Sequence, residues 1–245
     1  MLQVYPDLET LSVATAKLLA TLAEDTIRRQ GYFSWALSGG NTPKRLYQLL
    51  AEEPYTHQIN WQAVHIFWGD ERCVPADDPR SNFRMACESL LDHVPIPKQQ
   101  IHPIPCDENP EQAARVYETE LRSFLGRMNA GLDLVLLGLG DNGHTASLFP
   151  HSEILQEKER WVRAVFIPQV QMYRVSFTAP FINQAHQVIF LVSGEEKAIA
   201  LQRVLEGDYQ PQELPVQLIQ PKSGNLLWMI DKAAGATLSK PAKLT

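Results

Sequence analysis

The segment "GLGDNGHTASLFP" (138–150) contains a histidine in a setting that suits proton transfer. His144 follows three glycines, and these come after the apolar run "LDLVLL" (132–137), which is typical of a buried strand. We expect the glycines to lift a polar loop over the end of that strand, so that the imidazole projects into a cleft as a general base. Its ordinary pKa near 6.5 predicts that activity falls on the acid side of about pH 6–7. The alternative is a histidine that only caps or hydrogen-bonds its own loop.

The first six residues of the same segment also fit G-x-G-x-x-G, a pattern of dinucleotide-binding proteins. That fingerprint belongs to a strand–helix–strand unit with an acidic residue about 20 positions further on. Here Phe149 and Pro150 follow the glycines within a few residues, and the strand-like run "WVRAVFI" (161–167) ends without an acid. No G-x-x-x-x-G-K-[ST] phosphate loop occurs in the sequence either. The pattern therefore favours histidine chemistry over nucleotide binding.

The segment "SGGNTP" (38–43) has the composition of an anion-binding turn. Ser38 is followed by Gly39 and Gly40, which let the backbone approach a ligand, and the helix that follows would offer free N–H groups. Thr42 is expected to cap that helix, with Pro43 as its first residue. Phosphate is the anion that such turns most often bind. These residues suit equally well a strand-to-helix turn that needs glycine only for its geometry.

Three charged residues, Asp70, Glu71 and Arg72, follow the predicted strand "AVHIFW" (63–68). The planar guanidinium of Arg72 could clamp a phosphate or a carboxylate. A charged loop of this kind is most often simply solvated. Its position at the carboxyl end of a strand is what favours a functional role.

Two further cations are notable for their positions. Lys197 lies in the first turn of a helix predicted for 195–206, where the helix dipole disfavours a positive charge, so a bound anion would explain it. Arg174 lies within "MYRVSF" (172–177), a predicted strand region. The alternative for both is an exposed surface residue, which is the more common role of a single lysine or of an arginine in a β-like run.

Apolar strands alternate with helices along the chain. Strands are predicted at 32–37, 63–68, 132–137, 161–167, 173–178, 187–192 and 225–230, and helices at 8–29, from 43 onward, and at 82–93, 110–128 and 195–206. Because several strands are apolar throughout, the pattern favours one α/β domain of residues 1–245 with a mostly parallel sheet between layers of helices. Ligands bind outside the carboxyl ends of such strands. We therefore expect one crevice there, formed by four segments: 38–43, 69–82, 138–149 and 193–198.

With a net charge of −6 and 44% hydrophobic residues, the 245-residue chain has an ordinary globular composition. It lacks the positive charge typical of nucleic-acid binding, and no apolar run approaches the roughly 18 residues of a membrane span. Cys73, Cys87 and Cys106 cannot all pair within one chain, which predicts reduced thiols in a cytoplasmic protein. The histidines show no metal-ligand spacing, so no metal is expected.

Taken together, these segments resemble the 6-phosphogluconolactonase family. The resemblance covers nearly the whole chain, from "ALSGGNTPKRLY" through "DERCVP…SN", "GLGDNGHTASLFP" and "LVSGEEKA" to "NLLWMIDKAA". It implies a modified Rossmann-like, three-layer α/β/α sandwich, similar in fold to sugar-phosphate isomerases and deaminases. It also implies an enzyme that hydrolyses 6-phospho-D-glucono-1,5-lactone to 6-phosphogluconate without a metal or organic cofactor. This reaction is the second step of the oxidative pentose phosphate pathway. Separately from the resemblance, we expect a monomer.

The resemblance also implies roles for individual residues. His144 would be the base that activates water, with Asn142 beside it, and Arg72 or a loop N–H would stabilise the oxyanion. The glycine-rich turn would contribute to a phosphate cradle, and Arg174 would contact the phosphate. The substrate-binding residues that we expect are Ser38, Gly39, Gly40, Thr42, Asp70, Arg72, Arg174 and Lys197.

One position departs from the family pattern. The family usually reads Asp-Gly-His, whereas this chain has Asn142, Gly143 and His144, with Asp141 one place earlier. Asn142 can hydrogen-bond to the histidine but cannot supply negative charge to an imidazolium. Asp141 could take over that task, or the usual aspartate could have a mainly structural role, and the sequence leaves both open.

There are two alternative functions: another enzyme of the same fold, and a binding protein, which is a different class. A glucosamine-6-phosphate deaminase-like isomerase shares the glycine turn, the Asp-Glu pair and the late lysine, but its histidine motif continues to a glutamate five residues past the histidine, where this chain has Phe149. A sugar-phosphate sensor of the same fold would lack turnover. Sensors of that kind carry a helix-turn-helix segment, for which the N-terminal helix here leaves no room.

Overall fold

In the computed structural model, which describes residues 1–106, 109–126 and 131–239, the chain forms a sheet of six strands and a smaller one of three. The strands are β1 (Leu2–Tyr5), β2 (Phe33–Leu37), β3 (Val64–Trp68), β4 (Asp70–Arg72), β5 (Leu134–Leu137), β6 (Val162–Ile167), β7 (Met172–Phe177), β8 (Gln187–Val192) and β9 (Leu226–Asp231). The large sheet has the order β1–β9–β8–β5–β2–β3, and every neighbouring pair is parallel. The small sheet has the order β4–β7–β6 and is antiparallel.

Helices connect and cover these strands. They are α1 (Leu8–Gln30), α2 (Asn41–Leu50), α3 (Tyr55–Gln58), α4 (Asn82–Ala86), α5 (Pro110–Leu125), α6 (Ala179–Ile182) and α7 (Ala198–Glu206). A π-helical turn, Cys87–Leu91, continues α4, and a 3₁₀ turn, Glu195–Lys197, precedes α7. Within the described residues, no helix is both long enough and apolar enough to cross a membrane.

The helices that connect parallel strands cover both faces of the central sheet and bury its inner strands. Every residue of β2 and of β5 is buried, as the continuous apolar runs predict. α1 packs on α2 and against β2 and β9. It begins at Asp7, whose side chain accepts the N–H of Thr10, and ends at Gly31, whose left-handed backbone stops the helix. The mostly parallel α/β fold is therefore confirmed.

The small antiparallel sheet was not predicted. β4 lies inside the segment 69–82, which was expected to be a polar loop, and β6 and β7 leave the central sheet to pair with each other and with β4. Three polar residues carry no strand periodicity, so only the pairing with β7 identifies β4 as a strand. The short edge strand β1 was also missed. The helix predicted for 110–128 begins at Pro110, and its expected end lies outside the described residues.

Two buried tyrosines tie down the carboxyl ends of β2 and β3. The hydroxyl of Tyr47 accepts the N–H of Ser38 (3.0 Å) and donates to the carbonyl of the same residue (2.9 Å). The hydroxyl of Tyr117 makes the same pair of bonds with Trp68, at 2.8 and 3.2 Å. Burial raises the pKa of both phenols, so they stay protonated and keep both bonds. The backbone at the start of each following loop is therefore held in place by hydrogen bonds.

The prediction of three reduced thiols is wrong for two of them. Cys73 and Cys106 form a disulfide, with Cα atoms 4.9 Å apart, and Cys87 is free. The end of β4 and the proline-rich connection before α5 lie side by side, which brings together two cysteines 33 residues apart in sequence. Cysteine counting cannot detect such a contact, because it contains no information about which segments meet.

Candidate active site

A cleft of about 260 Å³ lies at the carboxyl ends of the central strands. All four segments expected to converge contribute to it, and β7 adds one arginine from the side. The predicted crevice is therefore present where the sheet topology requires it. The lining residues are Ser38, Gly39, Gly40, Asp70, Arg72, Asn82, Gly138, Leu139, Gly140, Asp141, His144, Thr145, Ala146, Arg174 and Lys197.

The loop after β5 folds into a tight turn that holds His144 against Gly140. The N–H of Gly140 donates to the carbonyl of His144 (2.8 Å), and the N–H of Gly143 donates to the carbonyl of Gly140 (3.0 Å). The hydroxyl of Thr145 donates to the carbonyl of Gly138 (2.8 Å) and ties the loop back to the strand end. A Cβ on Gly140 would lie 2.0 Å from Nδ1 of His144, and Gly143 has a φ of +79°. Both positions therefore need glycine.

Asn142 determines which nitrogen of His144 carries the proton. Oδ1 of Asn142 accepts the backbone N–H of His144 (3.2 Å), so the amide oxygen faces the histidine. The same oxygen lies 2.5 Å from Nδ1 of the ring. Because an amide oxygen only accepts hydrogen bonds, Nδ1 is the protonated nitrogen and Nε2 keeps its lone pair. His144 thus forms a hydrogen bond within its own loop through Nδ1, and its Nε2 is able to accept a proton.

Burial dominates the electrostatics of His144. It lowers the pKa of the imidazole to about 4; the carboxylates of Asp70 and Asp141 raise that pKa, and the cations of Arg174 and Lys197 lower it. The ring is therefore neutral, and able to accept a proton, well below neutral pH. This pKa lies below the ordinary value near 6.5 from which an acid limb at about pH 6–7 was expected.

The N-terminus of α2 meets the cleft through Gly39 and Gly40. Gly40 is the N-cap with a φ of +106°, and no side chain caps the helix, so its first N–H groups can receive an anion. Gly39 cannot carry a side chain, because a Cβ would lie 1.9 Å from Oδ1 of Asn82. The expected helix cap at Thr42 is wrong: the helix begins at Asn41, since Gly40 turns the chain into it. Thr42 lies in the first turn outside the cleft lining, and its phosphate contact stays a prediction.

Asp70 is a buried carboxylate whose direct partners are protein groups. Its Oδ2 accepts the hydroxyl of Ser147 (2.6 Å) and lies 3.6 Å from Nη1 of Arg174. The side chain of Asn82 donates to its carbonyl (2.9 Å). Asp70 thereby connects the histidine loop, β7 and the start of α4.

Arg72 and Arg174 occupy opposed positions on β4 and β7. Like charges opposed across an antiparallel pair are unfavourable without a counter-charge. Each guanidinium also has a buried Nε–H without a hydrogen-bond partner among the described residues. Burial lowers the pKa of Arg174, with Asp70 opposing and Arg72 adding to this effect, but a guanidinium stays charged in proteins. Asp70 supplies one negative charge near Arg174, and a bound anion would add further negative charge and acceptors for the two Nε–H groups.

Glu71 lies outside the cleft lining and fixes the elements around Arg72. Its carboxylate accepts the N–H groups of Arg72, Asn82 and Phe83, each at 2.7 Å, and the hydroxyl of Ser81 at 3.1 Å. Burial raises the pKa of Glu71, whereas these backbone donors lower it. The "DER" segment is therefore an organised part of the site and not a solvated charged loop.

Lys197 and Asn142 differ in how they are placed relative to the cleft. Lys197 is the N-cap residue of α7 and lines the cleft, as predicted. Asn142 lies outside the lining and contacts His144, which lines the cleft. Sequence reasoning missed Asn82, whose side chain packs against the glycine turn. The "SN" pair after the charged segment was the available signal, but one asparagine specifies no chemistry by itself.

The chain matches an established protein family over residues 6–228, described as glucosamine-6-phosphate isomerases/6-phosphogluconolactonase, and it belongs to that family. It is 43% identical over 241 residues to a 6-phosphogluconolactonase of Nostoc sp., covering 97% of this chain and 98% of the relative. A 6-phosphogluconolactonase of Haemophilus influenzae is 40% identical over 199 residues, covering 81% and 84%. Within the family, the chain therefore stands with the lactone-hydrolysing enzymes.

Solved structures agree with this placement. The structure of 6-phosphogluconolactonase from Trypanosoma brucei superposes with a TM-score of 0.85 at 30% identity, covering 98% of each chain. A monomeric glucosamine-6-phosphate deaminase superposes with a TM-score of 0.80 at 22% identity, a likeness of fold alone.

Proposed function

We propose that this chain hydrolyses 6-phospho-D-glucono-1,5-lactone to 6-phosphogluconate with His144 as the general base. One observation carries the proposal: Asn142 leaves Nε2 of His144 unprotonated in a cleft that Arg72, Arg174 and Lys197 also line. Hydrolysis of a phosphorylated lactone needs a base and an anion site within the length of one sugar. The similarity to the 6-phosphogluconolactonases of Nostoc sp. and Haemophilus influenzae supports the same substrate.

The chemical step uses His144 twice. Nε2 takes a proton from water while the water oxygen bonds to C1 of the lactone, and the carbonyl becomes a tetrahedral oxyanion. The bond between C1 and the ring oxygen then breaks, and the imidazolium gives its proton to that oxygen, which leaves the open-chain acid. Either Arg72 or an N–H of the histidine loop stabilises the oxyanion. Asn142 holds the ring throughout but adds no negative charge.

The phosphate lies at the N-terminus of α2 in this proposal. The backbone of Gly39 and Gly40, beside Ser38, and the first turn with Thr42 would donate N–H groups, and Arg174 and Lys197 would supply positive charge. Asp70 would serve by holding Arg174 in place, because a carboxylate repels phosphate. Each charge-assisted hydrogen bond contributes roughly 1.5–3 kcal/mol. That binding energy can orient the lactone carbonyl toward the base.

Phe149 argues against deaminase chemistry. It occupies the position where the deaminase motif has a glutamate, and it stacks on His144 with ring centroids 4.1 Å apart. It therefore offers an apolar surface to the imidazole in place of a carboxylate. The hydrolytic reaction needs only the histidine at this point.

The proposal is tested by the hydrolysis rate of freshly made 6-phosphogluconolactone, coupled to NADPH formation and compared with the spontaneous rate. The protein is expected to accelerate hydrolysis well above that rate, whereas unphosphorylated gluconolactone should be a much poorer substrate. Saturable binding of 6-phosphogluconate without any acceleration would identify a sugar-phosphate sensor and refute the proposal.

The pH dependence of turnover should reflect the depressed pKa of His144. Because the neutral imidazole is the active form, kcat/KM should be flat above about pH 5 and fall as pH drops through about 4. The measurement uses unphosphorylated gluconolactone, since the substrate phosphate itself titrates near pH 6. With the phosphorylated lactone, the acid-side fall in kcat should lie at higher pH. The bound phosphate offsets the positive charges of Arg174 and Lys197, and these charges lower the pKa of His144 in the free protein. A limb in kcat/KM at pH 6–7 would show that burial does not control this group.

Replacement of Asn142 by aspartate restores the usual family residue and should shift this limb. A carboxylate on Nδ1 favours the imidazolium, so the acid limb of the Asn142→Asp variant should move upward by about 1–3 pH units. Turnover at neutral pH should stay equal or rise, because the imidazolium of the transition state gains a counter-charge. The matched control is Asp141→Asn, whose carboxylate makes no hydrogen bond to the ring and should cause a smaller shift in the opposite direction. An unchanged profile for Asn142→Asp would contradict the role given to the Nδ1 contact.

A further inference from the structure

We infer that Asp231 is a positioning residue that fixes Lys197 for phosphate binding, an inference that rests on the proposed function. Asp231 ends β9 and is only 4% exposed. Its Oδ2 accepts the hydroxyl of Ser193, both of its oxygens lie 3.2 Å from the N–H nitrogen of Gly194, and its Oδ1 accepts the N–H of Ala234 (2.7 Å). One buried carboxylate thus holds the first two residues of the segment that leads from β8 to Lys197.

A short, constrained segment connects this carboxylate to Lys197. Gly194 has a φ of +105°, and a Cβ there would lie 2.4 Å from the carboxylate of Glu196. The N–H of Lys197 donates back to the carbonyl of Gly194 (3.1 Å) and closes the 3₁₀ turn before α7. A displacement of Gly194 would therefore carry the backbone of Lys197 with it.

Lys197 depends on this backbone anchor for its position. It is the N-cap residue of α7, where the helix dipole disfavours a cation, and within the described parts of the chain it forms no ion pair with a carboxylate. Its four-carbon stem is flexible and loses rotamer freedom when the ammonium is held in one place. The anchor at Asp231 accordingly decides where in the cleft the ammonium can reach.

Replacement of Asp231 by alanine should affect the phosphorylated substrate selectively. The variant leaves the N–H of Gly194 and the hydroxyl of Ser193 without their acceptor. The backbone that leads to Lys197 is then no longer held in one position. We expect KM for 6-phosphogluconolactone to rise about 10-fold, which corresponds to about one weakened charge-assisted hydrogen bond. For unphosphorylated gluconolactone, kcat/KM should stay within about 2-fold, because that substrate has no group for Lys197 to bind. The Asp231→Asn variant keeps one oxygen for Gly194 and should restore most of the lost affinity.

Asp133 provides a matched control at the opposite end of the sheet. It is also 4% exposed, and it accepts the N–H and the hydroxyl of Ser34 (2.8 and 2.7 Å) and the amide of Gln30 (2.9 Å). Asp133→Ala should lower Tm to a similar extent and leave the preference for the phosphorylated lactone unchanged. If both alanine variants lose the preference for phosphorylated over unphosphorylated lactone to the same extent, the effect of Asp231→Ala is a general loss of structure. That result would overturn the inference.

A double-mutant cycle separates this inference from the proposed function. Lys197→Ala should raise KM for the phosphorylated lactone, and adding Asp231→Ala should raise it no further, because both act through one group. If the effects of the two substitutions on KM add, the role given to Asp231 is wrong, whereas the proposed lactonase activity is unaffected. No effect of Lys197→Ala alone would overturn the phosphate role of Lys197 and this inference with it. If Asp231→Ala does not fold, Ser193→Ala removes a single bond to the same carboxylate and carries the same test.

Discussion

Replacement of His144 by alanine is expected to lower kcat by about 10²–10⁴-fold, the usual contribution of a general base. The variant loses Nε2, the atom that accepts the proton of water in the proposed mechanism. Substrate affinity should stay within a few-fold, because the groups assigned to the phosphate lie on other segments: the N-terminus of α2, Arg174 and Lys197.

The measurement compares initial rates of 6-phosphogluconolactone hydrolysis by the two proteins after subtraction of the spontaneous rate. Binding of 6-phosphogluconate, measured by calorimetry, serves as the control for an intact cleft. Near-normal turnover in the variant would show that His144 is not the general base. Equal loss of binding and turnover would instead indicate that the histidine holds the loop together.

Gly140→Ala should be almost as damaging, although it leaves every catalytic side chain in the sequence. The added Cβ would lie 2.0 Å from Nδ1 and 2.1 Å from Cε1 of His144, so the imidazole must leave its place and its contact with Asn142. With the base displaced, kcat should fall by at least about 10²-fold. Backbone strain does not contribute, because Gly140 does not have a positive φ.

Gly138 offers the control on the same loop. A Cβ at that position would meet nothing closer than Oγ of Ser38 at 3.9 Å, which is ordinary contact. Gly138→Ala should therefore retain kcat within a few-fold, and both variants should keep a similar Tm. If the two alanines have the same effect on kcat, the explanation by collision with the imidazole is wrong.

Much of this site could be predicted because the sequence specifies which segments follow which strands. Continuous apolar runs identified β2, β3, β5 and β8, and the rule for parallel sheets then placed the loops after them at one edge. His144, Arg72 and Lys197 were found from their positions in those loops. The resemblance to a family supplied the reaction, which no periodicity could have indicated.

The remaining features depend on contacts that the sequence does not encode locally. The opposition of Arg72 and Arg174 follows from the pairing of β4 with β7, and a three-residue polar strand gives no pattern to predict. The low pKa of His144 follows from burial, which a loop histidine does not reveal. Thr42 was expected to cap α2 because threonine is a common cap, but Gly40 takes that position through its positive φ.

The four strand ends beneath the cleft have one feature in common, which affects what a ligand has to immobilise when it binds. Tyr47, Tyr117, Thr145 and Asp231 each tie down the backbone at or just after a strand end by a side-chain hydrogen bond. The backbones of the four loops are thus ordered when the protein folds, and a ligand has to immobilise little more than long side chains, at about 0.5–1.5 kcal/mol each. Substitutions within the loops can then change the chemistry without disturbing the frame.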